Sequence, residues 1–314
     1  MGFQLFLLLF TRKFVFKSRP FFNSGFTLAF IAVAMFSSKS IFIKLAYEYG
    51  VDTTTLMTWR MLLAMPFYLY MLLRVLQHPM RQPISVNSVS SMIVLGLMGY
   101  YAASWLDLYA LNFITAHYER IVLYTYPAFV LIINALWQKR PIRLVELSSL
   151  TLAYTGLLLI FYYDLSNLGE AVITGTLLVL ASSLSFSFYV VGSQKYSGKY
   201  GSKFFTCVAM LAATAAIVSH FAITHSLTDL LQPLPVLVYA AAIAIIATVI
   251  PSFLMNAAIE KIGANNASIS GSLGPVLTTV FAIFLLDEIF TFVHAVGMTL
   301  VIAGIYYLSK KHKS

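Results

Sequence analysis

Residues 111–127 read LNFITAHYERIVLYTYP, residues 259–275 read IEKIGANNASISGSLGP, and the comparison of these two stretches indicates the fold. Each stretch ends in a proline, and Pro275 follows Pro127 by 148 residues. The same spacing relates three further identical pairs: Ile114 with Ile262, Ala116 with Ala264, and Gly156 with Gly304. Few identities survive, but together they indicate an internal repeat.

The composition between and around these stretches places the chain in a membrane. Hydrophobic residues make up 60% of the chain and charged residues only 10%, whereas a soluble domain carries about 25% charged residues. Apolar runs of about 20 residues, the length that crosses the hydrocarbon of a bilayer, follow one another along the chain. We therefore predict an all-α integral membrane protein with ten transmembrane helices, at roughly 24–45, 54–74, 89–110, 115–137, 144–163, 172–194, 203–223, 236–257, 265–286 and 292–309.

The charged residues of the loops predict the orientation. Basic residues concentrate on the cytoplasmic side of membrane proteins, and with the N-terminus inside, 16 of the 20 Lys and Arg residues fall in cytoplasmic segments. These are Arg12, Lys13, Lys17, Arg19, Arg74, Arg81, Lys139, Arg140, Arg143, Lys195, Lys199, Lys203, Lys261, Lys310, Lys311 and Lys313. The outer loops hold acidic residues instead. We expect a multi-pass protein of the cell (inner) membrane with both termini in the cytoplasm.

The charge distribution and the cysteine count also exclude several classes. The formal net charge of +9 lies in short loops between apolar runs, so no nucleic-acid partner is expected. Cys207 is the single cysteine, which rules out an intramolecular disulfide. No metal-ligand spacing occurs, and we expect no metal and no cofactor. In residues 1–22 the basic residues follow the apolar run, the reverse of a secretory signal, which predicts a cytoplasmic, interfacial segment.

The repeat divides the chain into two units of five spans, residues 23–164 and 165–314, the second ending in a basic cytoplasmic tail. Both prolines fall in the fourth span of a unit. Because five is odd, the two units must enter the membrane with opposite orientations. Inverted repeats around a central cavity are the architecture of many secondary transporters.

Several motifs resemble EamA-type proteins of the drug/metabolite transporter superfamily. The motifs are YYAASWLDLYAL from Tyr100, AHYER from Ala116, YPAF from Tyr126, IGA from Ile262, LGPV from Leu273, the pair Asp287-Glu288, and Lys44 with Arg60. The resemblance covers roughly residues 24–309. It implies a carrier of five plus five helices that moves small metabolites, often outward, through a cavity lined mainly by spans 1, 3, 4, 6, 8 and 9.

Six charged residues are predicted inside the membrane, all in the outer half of the first repeat. They are Lys39, Lys44, Arg60, Asp107, Glu119 and Arg120. Buried charges are costly and usually pair or face a polar interior, so we predict one linked cluster with a positive excess that favours a carboxylate or phosphate. Alternatives stay open: Lys44 can snorkel to the surface, and Asp107 can form a static ion pair with Arg120 or Arg60. Glu119 and Arg120 point about 100° apart, so one should line the cavity and the other a helix seam.

Tyr100, Ser104 and Asp107 share one helix face, which predicts that this face points into the cavity, and Tyr101 lies beside it. Pro127 and Pro275 each remove a helix hydrogen bond and are candidate hinges. The second repeat has no charges at the matching positions. Its small polar residues line an inner path or serve only for close packing, and both interpretations stay open: Asn265, Asn266, Ser268, Ser270 and Ser272.

The function predicted from the sequence is secondary transport, with export expected, of a small polar metabolite such as an amino acid or another carboxylate-bearing solute. The motif His117-x-Glu119 is too sparse for a metal site, and we expect no enzyme activity. The alternatives are an accessory membrane subunit and a membrane-embedded enzyme. The partners are a small-molecule substrate and the lipid bilayer. Protons as a coupling ion, exchange and facilitated diffusion all stay open, as do a monomer and a homodimer.

Overall fold

The computed structural model describes residues 25–77, 83–137, 144–269, 271 and 274–310, and this part of the chain is helical without a β-strand. The predicted segment 1–22 and the end of the basic tail lie outside the described residues. Helix starts follow local sequence: the Asp52 carboxylate accepts hydrogen bonds from Thr54 N (2.8 Å) and Thr55 N (3.0 Å) and thereby caps the helix that begins at Thr53.

The helices of the first half are α1 Gly25–Ser37, α2 Lys39–Tyr47, α3 Thr53–Leu76, α4 Val86–Gly96, α5 Ala103–Ala110, α6 Ala116–Leu123, α7 Tyr126–Trp137 and α8 Leu144–Leu168. A π-helical turn, Leu97–Ala102, joins α4 to α5. Helices α6 and α7 together replace the single predicted span 115–137, because the helix is interrupted at Tyr124 and Thr125.

The helices of the second half are α9 Ala171–Tyr200, α10 Ser202–Thr224, α11 Leu234–Ala244, α12 Ile250–Ile269, α13 Gly274–Leu286 and α14 Phe292–Lys310, with a short 3₁₀ helix at Leu227–Leu230. A π-helical turn, Ile245–Val249, joins α11 to α12. Gly263 interrupts α12 with a φ of 79°, a backbone conformation that glycine adopts without steric cost. The predicted span 265–286 is therefore divided between the end of α12 and α13.

Seven helical segments in the described residues are long and apolar enough to cross a membrane: Gly25–Tyr47, Thr53–Leu76, Val86–Ala110, Ala116–Trp137, Ala171–Tyr200, Ser202–Thr224 and Leu234–Ser268. The other predicted spans correspond to α8, α13 and α14, and α13 has only 13 residues. The chain is thus a multi-pass helical protein, while the count of ten spans stays a prediction.

The backbone repeats itself at the spacing found in the sequence. The π-helical turns begin at Leu97 and Ile245, and helices α7 and α13 begin at Tyr126 and Gly274, in both cases 148 residues apart. π-Helical turns are rare and local, so their recurrence at the same spacing confirms the internal repeat. Pro127 and Pro275 occupy the first turn of α7 and α13, where proline is tolerated. They do not interrupt the middle of a continuous helix, as the sequence interpretation assumed.

Packing between the halves follows the same symmetry. Helix α8 packs mainly on α14, α3 on α10, α1 on α12, α5 on α9, and α6 on α13. A Cβ on Gly156 would lie 2.4 Å from the Gly297 carbonyl oxygen, and a Cβ on Gly304 would lie 2.6 Å from that of Ser149. These two contacts are equivalent, because Gly304 lies 148 residues after Gly156 and Gly297 lies 148 residues after Ser149. Small residues allow such close helix approach in lipid, where hydrophobic burial does not drive association.

Candidate functional site

A central cavity of about 90 Å³ lies between the two halves. Its lining side chains come from both: Val33, Phe36, Lys39, Arg60, Tyr100, Ala103, Ser104, Asp107, Arg120, Leu123, Tyr124 and Tyr126 from the first, and Ser182, Phe186, Ala247, Thr248 and Met255 from the second, with Gly99, Gly271 and Gly274 between them. The charged members all belong to the first half. We call Lys39, Arg60, Asp107 and Arg120 the ionic wall and Tyr124, Tyr126 and Phe186 the aromatic wall.

The carboxylate of Asp107 forms its ion pair with Lys39. The sequence interpretation that paired Asp107 with Arg120 or Arg60 was wrong, because neither arginine forms a salt bridge to it. Lys39 is the first residue of α2, directly after the break in the first segment at Ser38. Asp107 Oδ1 has no hydrogen-bond donor.

Arg120 and Glu119 divide as predicted, with Arg120 in the cavity lining and Glu119 outside it. The guanidinium of Arg120 donates to the Phe36 carbonyl oxygen (2.6 Å) and to Thr278 Oγ1 (3.2 Å), and thus joins the two halves. The Ser40 hydroxyl donates to Glu119 Oε2 at 2.5 Å. Glu119 Oε1, like Asp107 Oδ1, is buried without a hydrogen-bond partner, and the two carboxyl groups interact electrostatically.

Arg60 differs from the other cations of the ionic wall. The residue is 2% exposed, and its Nε has no hydrogen-bond acceptor. Its Nη2 approaches only the sulfur of Met61, at 3.5 Å. Asp107 attracts it electrostatically without forming a salt bridge. The guanidinium therefore lines the cavity as a buried cation whose donors are largely unused, although an unpaired buried charge is costly.

Of the remaining predicted site residues, some line the cavity and others do not. Tyr100 and Ser104 line the cavity, whereas Tyr101 and Lys44 do not. The Tyr101 hydroxyl hydrogen-bonds His220 Nδ1 at 3.2 Å, against the second half. Lys44 is half-buried and interacts electrostatically with Glu288 and then with Glu119. It belongs to a contact between the halves rather than to the cavity.

Aromatic residues that the sequence interpretation did not select separate this cavity from a second one. Tyr189 packs edge-on against Tyr100, with ring centroids 5.0 Å apart, and stacks on Phe186 at 5.8 Å. On α9, Tyr189 lies between Phe186 and Gly192, which lines the second cavity of about 940 Å³. The polar residues of its lining are Ser90, Ser91, Asn134, Gln194, Lys195, Tyr196, Asn265 and Asn266, among apolar side chains such as Leu95 and Trp137. Asn265 and Asn266 line this second cavity, and their place along an inner path stays a prediction.

Two polar contacts between the halves lie outside the cavity lining. Glu288 accepts hydrogen bonds from Ala116 N (2.6 Å), His117 N (3.1 Å) and His117 Nδ1 (2.7 Å). Asn265 Oδ1 accepts a hydrogen bond from Asn134 Nδ2 at 2.7 Å. We call the first contact the Glu288 end and the second the Asn265 end. The Glu288 end lies at the start of α6, and the Asn265 end lies just after the interruption of α12 at Gly263.

Two serines stabilise the helix breaks. Ser37 donates to the Gly274 carbonyl at 3.2 Å, and Ser187 donates to the Tyr126 carbonyl at 3.0 Å. Gly274 is the first residue of α13, and Tyr126 is the first residue of α7. Each serine thus binds the residue at which a helix of the other half resumes after its break. The sequence interpretation missed this pair. The signal that could have found it is the dipeptide Phe-Ser, which occurs at 36–37 and again 150 residues later, two residues away from the repeat spacing.

A helical protein with several segments able to cross a membrane, and with a charged cavity between two related halves, defines a class of multi-pass membrane proteins. The chain belongs to the EamA-like transporter family, whose pattern matches residues 23–162 and 173–310. This confirms the resemblance to EamA-type proteins of the drug/metabolite transporter superfamily and identifies a membrane transporter.

Two further similarities agree with this assignment. The chain is 28% identical over 295 residues to a protein of Bacillus subtilis (strain 168) that is named uncharacterized transporter YcbK, covering 92% of this chain and 94% of that protein. A crystal structure superposes with a TM-score of 0.68 at 14% identity, covering 92% of this chain and 99% of its own. At that identity the crystal structure supports the fold alone.

Proposed function

We propose that the protein is a secondary transporter that exports a small polar metabolite, such as an amino acid or another carboxylate-bearing solute, by alternating access. The observation that carries the proposal is the charged cavity between the halves, with contacts between the halves at two further places. Opening one contact while the other stays closed would connect the cavity to one side of the membrane at a time.

The proposed architecture is ten spans in two inverted halves. It is supported by the repeated π-helical turns and by packing that is unchanged when the halves are exchanged. The positive-inside distribution then places both termini in the cytoplasm and the Glu288 end on the outer side of the cell membrane. The Asn265 end and the larger cavity face the cytoplasm in this arrangement. Export is the direction that the family resemblance favours.

Protons are the coupling ion that the ionic wall supports. Asp107 and Glu119 are two buried carboxyl groups that interact electrostatically, and Lys39 pairs with Asp107. Gain or loss of one proton by these two groups would change the charge beside the cavity by one unit. A change of that size in a buried site alters the affinity for a charged substrate, because Coulomb interactions are poorly screened there.

Flux into proteoliposomes tests the transport proposal. Candidate amino acids, organic acids, nucleobases and lipophilic cations are first ranked by thermal shift, and the compounds that stabilise the protein are then offered with and without a pH gradient. We expect saturable flux of an anionic or zwitterionic compound, faster with the gradient. Asp107→Asn and Glu119→Gln should each reduce it at least about tenfold, because each removes a charge from a buried pair whose electrostatic interactions are poorly screened.

The matched control is Glu170→Gln, which removes an exposed acid at the start of α9 and should leave the flux unchanged. Normal flux in both carboxylate variants would contradict the role of the ionic wall. No saturable flux of any stabilising compound would favour the alternative of an accessory subunit, and chemical conversion of a compound by the purified protein would favour a membrane-embedded enzyme.

A further inference from the structure

Arg60 is the one cation of the ionic wall whose guanidinium has no oxygen acceptor among the described residues. Lys39 is paired with Asp107, and Arg120 donates to the Phe36 carbonyl and to Thr278. Arg60 has an unpartnered Nε and a single weak contact to a thioether. The protein therefore maintains one buried cation with free donors in the wall of the cavity.

We infer that Arg60 binds a single carboxylate of the transported solute, and that the solute is a monocarboxylate whose uncharged part contacts the aromatic wall. The inference rests on the proposed transport function. A guanidinium matches the two oxygens of a carboxylate with parallel donors, a geometry that a single ammonium group cannot reproduce. Binding would satisfy buried donors that have no protein acceptor, which gives the carboxylate its selectivity over a neutral group.

The number of free cations limits the charge of the solute. Arg60 can bind one carboxylate, and a second carboxylate would need another cation with free donors. Lys39 is held by Asp107, and the donors of Arg120 bind the Phe36 carbonyl, Ser40 and Thr278, beside the Glu119 carboxylate. The rest of the lining near Arg60 consists of tyrosine, small and aliphatic side chains such as Tyr100, Ala247 and Met255. An additional anionic group would be buried there without a partner, at a large free-energy cost.

The aromatic wall indicates the nature of the uncharged part. Tyr126 packs edge-on on Phe186 with ring centroids 5.4 Å apart, and Tyr124 packs edge-on on Tyr126 at 6.0 Å. Such faces and edges favour a flat apolar group over a strongly hydrated one. The inferred solute thus has a carboxylate at one end and an aromatic or otherwise apolar group at the other.

Four probes with closely related skeletons separate these contributions: 3-phenylpropanoate, its amide 3-phenylpropanamide, the dicarboxylate benzylsuccinate, and the cation 2-phenylethylamine. Binding to the purified full-length protein in detergent is measured by calorimetry. We expect 3-phenylpropanoate to bind at least about tenfold more tightly than the other three, in line with a charge-assisted bidentate contact. Equal affinity for the acid and its amide, or no measurable binding of the acid, would overturn the inference.

Two variants of Arg60 then locate the contact. Arg60→Gln should abolish the preference for the acid over the amide, and Arg60→Lys should retain only part of it because the forked geometry is lost. Arg60→Gln should also raise the thermal midpoint, because removing an unpaired buried charge relieves its desolvation. A purely structural arginine would show the opposite pair of results: a lowered midpoint and an unchanged preference. Arg74→Gln, on the exposed end of the same helix, is the matched control.

A third variant tests the charge count directly. Asp107→Asn frees Lys39 from its ion pair and should increase the affinity for benzylsuccinate relative to 3-phenylpropanoate by about tenfold, because a second carboxylate then has a cationic partner. An unchanged ratio would contradict the role assigned to Lys39. Failure of the transport proposal looks different: acid binding depends on Arg60, yet no compound is carried across the membrane. If the protein transports an acid with saturable flux, but Arg60→Gln still prefers the acid over its amide, the inference about Arg60 is overturned and the transport proposal is not.

Discussion

His117 and Asn265 occupy equivalent positions in the two halves, 148 residues apart, but they contact the opposite half with different chemistry. His117 and the backbone that precedes it bind the Glu288 carboxylate. Asn265 forms one hydrogen bond between neutral amides, with Asn134. The difference extends to their surroundings, since Lys44 interacts electrostatically with Glu288 whereas the uncharged Gln194 caps Ala264 N at 2.9 Å.

This comparison indicates that the two ends respond to different conditions. Burial raises the pKa of Glu288, but the hydrogen bond and charge of His117 and the two backbone donors outweigh burial and hold that pKa below its ordinary value of 4.5. Acid therefore weakens the Glu288 end. The Asn265 contact consists of two amides, which carry no proton that titrates in this range. The two contacts thus occupy equivalent positions in the repeat, but only the one at Glu288 depends on pH.

The largest effect is expected from Glu288→Gln, which removes the negative charge and replaces one of the two accepting oxygens by an NH2 group, so that the three charge-assisted contacts cannot all be kept. Loss of such contacts costs about 2–3 kcal/mol, which corresponds to roughly 30- to 150-fold in the opening equilibrium. Ser104→Cys in the cavity reports the opening through its reaction with a membrane-impermeant thiol reagent. Background labelling is low because Cys207 is the single native cysteine and is buried. We expect faster labelling from the side of Glu288 only.

The control for that experiment is the same reporter labelled from the opposite side of the membrane. Faster labelling from both sides would mean that Glu288→Gln destabilises the whole protein. Unchanged labelling from both sides would show that the Glu288 contact does not close this end.

Acidification should have an intermediate effect, confined to the Glu288 end. Because the pKa of Glu288 is lowered on folding, its contribution is complete above 4.5 and is lost as the pH falls through the lower folded value. Spin labels at the exposed positions Glu48 and Ile289 report the distance between the halves at this end. The distance distribution should stay unchanged from neutral pH down to 4.5 and broaden as the pH falls further, through the lowered pKa of Glu288. In the Glu288→Gln background the same titration should show no change.

Asn265→Ala is expected to have the smallest effect, because it removes one hydrogen bond between neutral groups. Such a bond contributes about 1 kcal/mol, or roughly fivefold in the opening equilibrium. The Ser104→Cys reporter should then label faster from the side of Asn265 and at an unchanged rate from the side of Glu288. Asn266→Ala is the matched control, since its side chain donates to its own helix, at Ile262 O. An effect of Asn265→Ala that equals that of Glu288→Gln would remove the proposed asymmetry.

Much of the fold followed from local sequence, and part of the site did too. Hydropathy located the helical segments, and the spacing of Pro127 and Pro275 predicted the repeat that the backbone confirms. The prediction that one of Glu119 and Arg120 lines the cavity and the other does not was correct, because helix geometry determines how adjacent residues diverge. The pairing of Asp107 was predicted wrongly. Which cation reaches Asp107 depends on how the helices that carry Lys39, Arg60 and Arg120 pack around α5, and no local pattern reports that packing.

By itself the sequence determined which segments are apolar, where their helices start, and that the chain consists of two related units, because these properties depend on residues close together in the chain. Only the tertiary structure decided which charges remain unpaired. Lys39, Arg60 and Arg120 look alike as isolated cations in apolar helices. One is bound by Asp107, one donates to oxygen atoms of both halves, and Arg60 keeps its Nε free. That distinction depends on distances between helices far apart in sequence.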